Sequence, residues 1–203
     1  MQAIDQKILS RCYGHGRGHV STQKDFIDLG SRSHIDNALS RLAQNGKLKR
    51  IARGLYEYPR VDKVLGELSP DLDKVAKAMA GREGIRLQPT GAYAANLLHL
   101  SEQVPMKVVF LTDGASKKAQ IGHQTLELRK ASPKRMQLAG RLSGLVFEAL
   151  REIGKEHIAK HTIEQLKDTL KKEDKGKLLK DLPHAPAWMH GTIREVTKDS
   201  TDG

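Results

Sequence analysis

The sequence predicts an α+β protein: an N-terminal winged helix-turn-helix, then a C-terminal mixed α/β domain that ends in helices. Three observations predict it. Residues 19–59 run through a short helix, a glycine turn, a second helix and a basic hairpin. Farther on, the apolar, β-branched run Met106–Leu111 and the alternating run Gln124–Arg129 read as strands set among helical patterns. The charge is also unevenly spread. The 203 residues carry a net charge of +11, and residues 1–60 hold 11 Lys and Arg against 5 Asp and Glu. Residues 61–133 hold 10 against 8, and residues 134–203 hold 14 against 11.

The elements follow in order. A first helix over about 3–13 carries the stripe Ile4, Ile8, Leu9 and Cys12 and should complete a three-helix core. Cys12 is the only cysteine, so an intrachain disulfide and a thiolate metal cluster are both excluded, and its place on the stripe makes it a small core hydrophobe. The loop Gly14-His15-Gly16-Arg17-Gly18-His19 is too short for a phosphate-cradling P-loop and lacks the Lys-Ser/Thr ending. It reads as a flexible connection whose Arg17 and histidines are placed to touch the backbone of a polyanionic partner. Thr22 with Asp25 forms a capping-box-like start, Phe26, Ile27 and Leu29 follow, and Gly30 closes that helix. Ser31 or Ser33 caps the next helix, with Ile35, Leu39 and Leu42 buried and Asn45-Gly46 at its end. The hairpin pairs 47–51 with 55–58, turns at Arg53-Gly54 and stops at Pro59.

A first domain over 1–60 and a second over 61–196 are expected, with 197–203 a disordered tail. In the second domain, Ser69-Pro70-Asp71 starts a helix with Ser69 as cap, Leu72, Val75, Ala76 and Met79 buried and Gly81 at its end. Residues 85–87 form a short strand and 90–99 an alanine-rich helix. Ser132-Pro133 opens a helix through Leu138, Leu142, Leu145 and Ala149 to Gly154. Thr162 and Gln165 make a second capping box, Lys171–Lys180 is a solvated helix face, and Trp188, Met189, Ile193 and Val196 belong to a last helix docked on the core. There is no internal repeat. No run approaches the ~18 apolar residues of a membrane span, and no basic amphipathic helix with bulky anchors stands out. A soluble cytoplasmic protein is expected, without a cofactor.

A helix with a polar outer face, followed by a cationic wing, is built to hold duplex DNA. The candidate contacts are Gln23, Lys24, Arg32, Ser33, His34, Asn37, Arg41, Lys47, Lys49, Arg50 and Arg53. Ser40 lies on the same exposed side. Arg can pair with guanine and Asn with adenine, each good bidentate pair giving ~1–3 kcal/mol of discrimination. Gln23 and Lys24 suit phosphate. Winged helices also serve as protein-docking modules, but a wing that binds only protein has no need of cations.

Catalytic patterns are thin. His157 and His161 have i, i+4 spacing, yet no glutamate follows His157 and no third ligand is near, so surface histidines are the reading. Asp113-Gly114 after a strand is an ordinary turn signal. An enzyme acting on a nucleotide through Asp113, Ser116 or Lys117 is a rival, with Lys117 and Lys118 placed in a polar loop. A plain transcriptional regulator with a ligand-sensing or dimerising second domain is another.

The runs Asp25-Phe-Ile-Asp-Leu-Gly-Ser-Arg, Ala38-Leu-Ser-Arg-Leu and Arg53-Gly-Leu-Tyr-Glu-Tyr-Pro resemble the N-terminal domain of AbiEi-type antitoxins, and more specifically a bacterial domain-of-unknown-function branch related to them. Pro89-Thr-Gly-Ala-Tyr-Ala-Ala-Asn-Leu-Leu, Gln103-Val-Pro, Val109-Phe-Leu-Thr-Asp-Gly and Leu126-Glu-Leu-Arg extend the resemblance over about residues 5–150. It implies a type IV toxin–antitoxin system whose partner is a nucleotidyltransferase-like toxin. The winged helix would repress its own operon at inverted repeats, and the C-terminal domain would counter the toxin without needing a stable complex. The resemblance supplies no catalytic residue.

Overall fold

The computed structural model describes residues 3–81 and 84–198. In chain order it holds α1 (Ala3–His15), β1 (Val20–Ser21), a 3-10 helix (Gln23–Leu29), α2 (Arg32–Gln44), β2 (Lys49–Ala52) and β3 (Leu55–Glu57). Then come β4 (Val61–Asp62), β5 (Gly66–Glu67), α3 (Leu72–Ala80), β6 (Leu87–Thr90), α4 (Gly91–Leu97) and β7 (Lys107–Thr112). The chain closes with β8 (Lys117–Ile121), β9 (Gln124–Lys130), α5 (Leu142–Ile153), α6 (Lys160–Thr169), α7 (Lys172–Lys180) and α8 (His190–Thr197). The protein is of mixed α+β class.

Two compact units divide the chain: Met1–Ile85 with Lys117–Leu128, and Arg86–Ser116 with Arg129–Gly203. The first therefore runs past the boundary expected at 60 and takes in the β8–β9 hairpin from far along the sequence.

In the first unit β1 pairs with β3 and β3 with β2, both antiparallel, in the order β1-β3-β2. Helix, strand, two helices and a hairpin in that order make the winged-helix arrangement. Its core forms because Ile8, Leu9 and Cys12 of α1 meet Phe26, Ile35, Ala38, Leu39, Leu42, Leu48 and Tyr56. Burial pushes the Cys12 thiol up from its ordinary value. Thr22 donates its backbone N–H to the Asp25 carboxylate at 2.6 Å, as the box pattern predicts, but the helix that follows is 3-10 rather than α. Ser31, not Ser33, caps α2, accepting from the His34 N–H at 3.5 Å. Asp28 is held down to about 2 by the Arg11 guanidinium, 2.7 Å away. The glycine-histidine loop is shorter and better anchored than expected, because α1 continues to His15. Its Arg17 sits 5.0 Å over the Tyr58 ring and donates to the Pro59 carbonyl at 3.0 Å, so it is spent within the protein.

Beyond the wing, β4 and β5 form a small hairpin that periodicity missed, because each strand is two residues long. Asp62 accepts the N–H groups of Val64 and Leu65 to close its turn. α3 is capped by Asp71, not Ser69; the Asp71 carboxylate accepts from Asp73 at 3.0 Å and Lys74 at 3.3 Å. α3 packs on β1 and β3, and β8 lies beside β2. β8 pairs antiparallel with β9, from Lys117 opposite Leu128 to Ile121 opposite Gln124.

In the second unit β6 pairs antiparallel with β7, from Leu87 opposite Thr112 to Thr90 opposite Val109. The strand expected at 85–87 thus starts and ends later. Around this pair, α4–α8 bury Leu98, Phe147, Leu150, Leu166, Leu178, Met189, Ile193 and Val196 in one cluster. α5 begins only at Leu142, because residues 133–140 form turns rather than helix. The Thr162 box does not form: Ala159 precedes α6, and Thr162 is buried inside it. α8 runs to Thr197, and the remainder of the expected tail, 199–203, lies outside the described residues.

Candidate nucleic-acid interface

The candidate residues on α2 divide by the helix's own geometry. Ile35, Ala38, Leu39 and Leu42 are buried, so at 100° per residue Ser33, Asn37, Ser40 and Gln44 point away from the core, and all four are exposed. Gln44 was missed by the sequence reading; completing the helical turn past Arg41 would have found it. Arg32 is exposed and lies 3.8 Å from Asp36 one turn on, so part of its charge is answered locally. His34 is exposed beside Asn37.

Arg41 belongs elsewhere. Its guanidinium reaches back to the buried Asp5 of α1 at 2.7 and 3.4 Å, which makes it a strut between helices rather than an outward reader.

The wing places its cations by register. Lys49 stands opposite Glu57 and Arg50 opposite Tyr56, and a bulge at Ile51 then brings Ala52 opposite Leu55. Arg53 and Gly54 make the turn, with Gly54 at φ 73°, a conformation glycine adopts without strain. Lys47, Lys49, Arg50 and Arg53 are all exposed. Lys49 is partly neutralised, since its ammonium lies 2.6 Å from Glu67 on β5. Beneath the wing Glu57 is fully buried, and neither of its carboxylate oxygens has a hydrogen-bond partner among the described residues. Burial raises this carboxyl above its ordinary 4.5, against the pull of Arg60, Lys49 and Lys74.

Gln23 and Lys24 meet the wing because β1 and β3 are paired. Ser21 opposite Tyr56 sets Thr22 and Gln23 alongside Leu55 and Gly54. Together they border an open cleft of about 500 Å³, also lined by Arg53, Met79, Lys117 and Lys118. Both lysines lie on strand β8, not in the polar loop that was expected. The place of Lys118 beside the wing could not have been read from the sequence, because only the fold carries β8 there.

The residues held in reserve for catalysis are all engaged. Asp113 accepts the Arg86 backbone N–H at 2.9 Å and its guanidinium at 2.8 Å, and that guanidinium lowers the Asp113 carboxyl from its usual range. Ser116 accepts from the Lys130 N–H at 3.0 Å. Lys117 donates to the carbonyls of Met79 and Ala80, closing the C-terminus of α3. His157 lies in a 3-10 turn and His161 on α6, so they do not share a helix face. No group of three metal-ligating side chains occurs among the described residues.

These features define an α+β protein whose winged-helix unit carries an exposed polar helix face and a cationic wing. The chain belongs to DUF6088, a family of unknown function, which it matches over residues 7–178. No curated protein matches it. No helix among the described residues is long and apolar enough to cross a membrane.

Proposed function

We propose that this protein binds double-stranded DNA sequence-specifically and acts as an antitoxin-type autorepressor. The single observation that carries the DNA-binding reading is the wing turn. Arg50 and Arg53 stand exposed, with no ion pair among the described residues, on a hairpin joined to a helix whose outer face is Ser33, Asn37, Ser40 and Gln44. That helix presents hydrogen-bonding groups suited to base edges in the major groove, and the wing and Lys24 supply charge for the phosphates. The antitoxin part rests on the resemblance of the sequence runs to the AbiEi-type family. Under it, the operator is an inverted repeat, and the functional partner is a nucleotidyltransferase-like toxin countered by the second unit. The internal engagement of Asp113, Ser116 and Lys117 favours a binding protein over an enzyme.

The test is equilibrium binding of the purified protein to its own upstream DNA and to a scrambled duplex across a salt series. Selective binding with a steep salt dependence is expected. Equal, weak binding to both duplexes would make the winged helix a protein-docking module. The antitoxin part is tested by co-expression with a neighbouring nucleotidyltransferase, whose toxicity should be relieved.

A further inference from the structure

We infer that a second strip of cations, running from the wing turn across α3, holds the phosphate backbone of DNA flanking the segment faced by α2. The inference rests on the DNA-binding reading above and extends its wing side onto α3 and β8.

The strip is made of two clefts that share Ala78 and Gly81 at the C-terminal part of α3. The first is the cleft under the wing, with Lys24, Arg53 and Lys118 on its rim. The second, about 450 Å³, is lined by the stacked His15 and His19 and by the exposed Lys74 and Lys77. Lys74 and Lys77, three residues apart, lie on neighbouring turns of α3 and project together.

The charge balance of this strip is one-sided. Among the described residues lining both clefts the single carboxylate is Asp25, and it already accepts the backbone N–H and hydroxyl of Thr22. Lys24, Arg53, Lys74, Lys77 and Lys118 form no ion pair among the described residues. Like charges gathered within a Debye length repel one another, and a polyanion relieves that repulsion while releasing its own counterions. A helix C-terminus would normally repel phosphate. Here Lys117 covers the last carbonyls of α3 and offsets that field.

The chemistry favours backbone over base. Leu55, Met79 and Ala119 give the first cleft an apolar part, and its cations Lys24, Arg53 and Lys118 are point charges or donors suited to phosphate, with Thr22 and Gln23 its uncharged polar side chains. The strip also begins at Lys24 and Arg53, which belong to the wing side of the proposed interface. A duplex lying on α2 and the wing would therefore pass onto it at one end.

The experiment compares two duplexes: a core operator, and the same operator extended by about one helical turn on each side. Wild-type protein should bind the extended duplex more tightly and with a steeper salt slope. The double variant Lys74→Ala/Lys77→Ala should bind the core duplex as wild type does. On the extended duplex it should lose the gain in affinity, with a log–log salt slope shallower by about two. A single Lys77→Glu reversal should reproduce the loss. If wild type binds the operator selectively but the variants match it on the extended duplex, the strip does not touch DNA and the inference fails. Equal losses on both lengths would also overturn it, by placing these lysines in the core footprint. If wild type shows no selectivity on either duplex, the DNA-binding reading itself fails, an outcome distinct from the other two.

Discussion

Arg41 on α2 grips the buried carboxylate of Asp5 on α1 through two contacts, Nη2 to Oδ1 at 2.7 Å and Nε to Oδ2 at 3.4 Å. Asp5 retains 3% of its surface exposure, so its charge is answered by this arginine rather than by water. Removing Arg41 leaves Asp5 buried without its counter-charge, at a cost of about 1–3 kcal/mol, whereas the Arg41 side chain is 36% exposed and returns to water when Asp5 is removed. Arg41→Ala should lower unfolding stability by that order and Asp5→Ala by less, and the double variant should lose less than their sum. Denaturant titration of the four proteins checks it. Strict additivity would mean the pair does no joint work.

Asn37 has no such tie among the described residues and points outward. Asn37→Ala should narrow the gap between operator and scrambled duplex by about 1–3 kcal/mol while leaving stability unchanged. Arg53→Ala should instead weaken both duplexes alike and flatten the salt slope by about one. Fluorescence anisotropy on both duplexes separates the two behaviours, and identical profiles for the two variants would abolish the division between reading and holding.

Lys49 is a weaker phosphate donor than its position in the sequence implies, because Glu67 lies 2.6 Å away. Glu67→Gln should tighten binding to every duplex modestly and steepen the salt slope, since it frees a cation and removes a repelling charge. Lys49→Ala should cost less than Arg53→Ala. A Lys49→Ala loss equal to that of Arg53→Ala would show that the ion pair opens freely on binding.

Glu57 predicts a pH effect. Burial raises its carboxyl above 4.5, so the folded chain holds this proton more tightly than the unfolded chain does. Stability from this group is greatest below the unfolded value, falls as pH rises between 4.5 and the raised folded value, and is lost above it. Glu57→Gln, which stays neutral, should therefore be more stable than wild type at pH 7. The difference should shrink on acidification below 4.5. Thermal unfolding at several pH values tests this, and a pH-independent difference would place the effect in packing.

Gly144 sits where a Cβ would meet the Leu138 carbonyl oxygen at 2.5 Å and Gln88 Oε1 at 2.6 Å. Gln88 is itself buried and accepts from the Gly140 N–H at 3.3 Å, so neither neighbour can retreat cheaply. Gly144→Ala should destabilise the second unit by about 1–3 kcal/mol. An unchanged unfolding midpoint would show that the turn at 138–141 yields.

The sequence by itself determined the elements with strong local signals. The α2 stripe, the Asn45-Gly46 stop, the Arg53-Gly54 turn and the strands near 107–112 and 124–130 follow from periodicity, turn chemistry and β-branching, all short-range properties. It also placed the wing cations, because a register of alternating residues needs no knowledge of distant chain. Only the tertiary structure decided which charges remain available. Arg41 is taken by Asp5, Lys49 by Glu67 and Lys117 by the end of α3, and each partner is distant in sequence or lies on an element too short to show a period. The two-residue strands β4 and β5 and the addition of β8 to the first unit were equally hidden. Packing of remote segments sets them, and ion pairing depends on distance in space rather than separation along the chain.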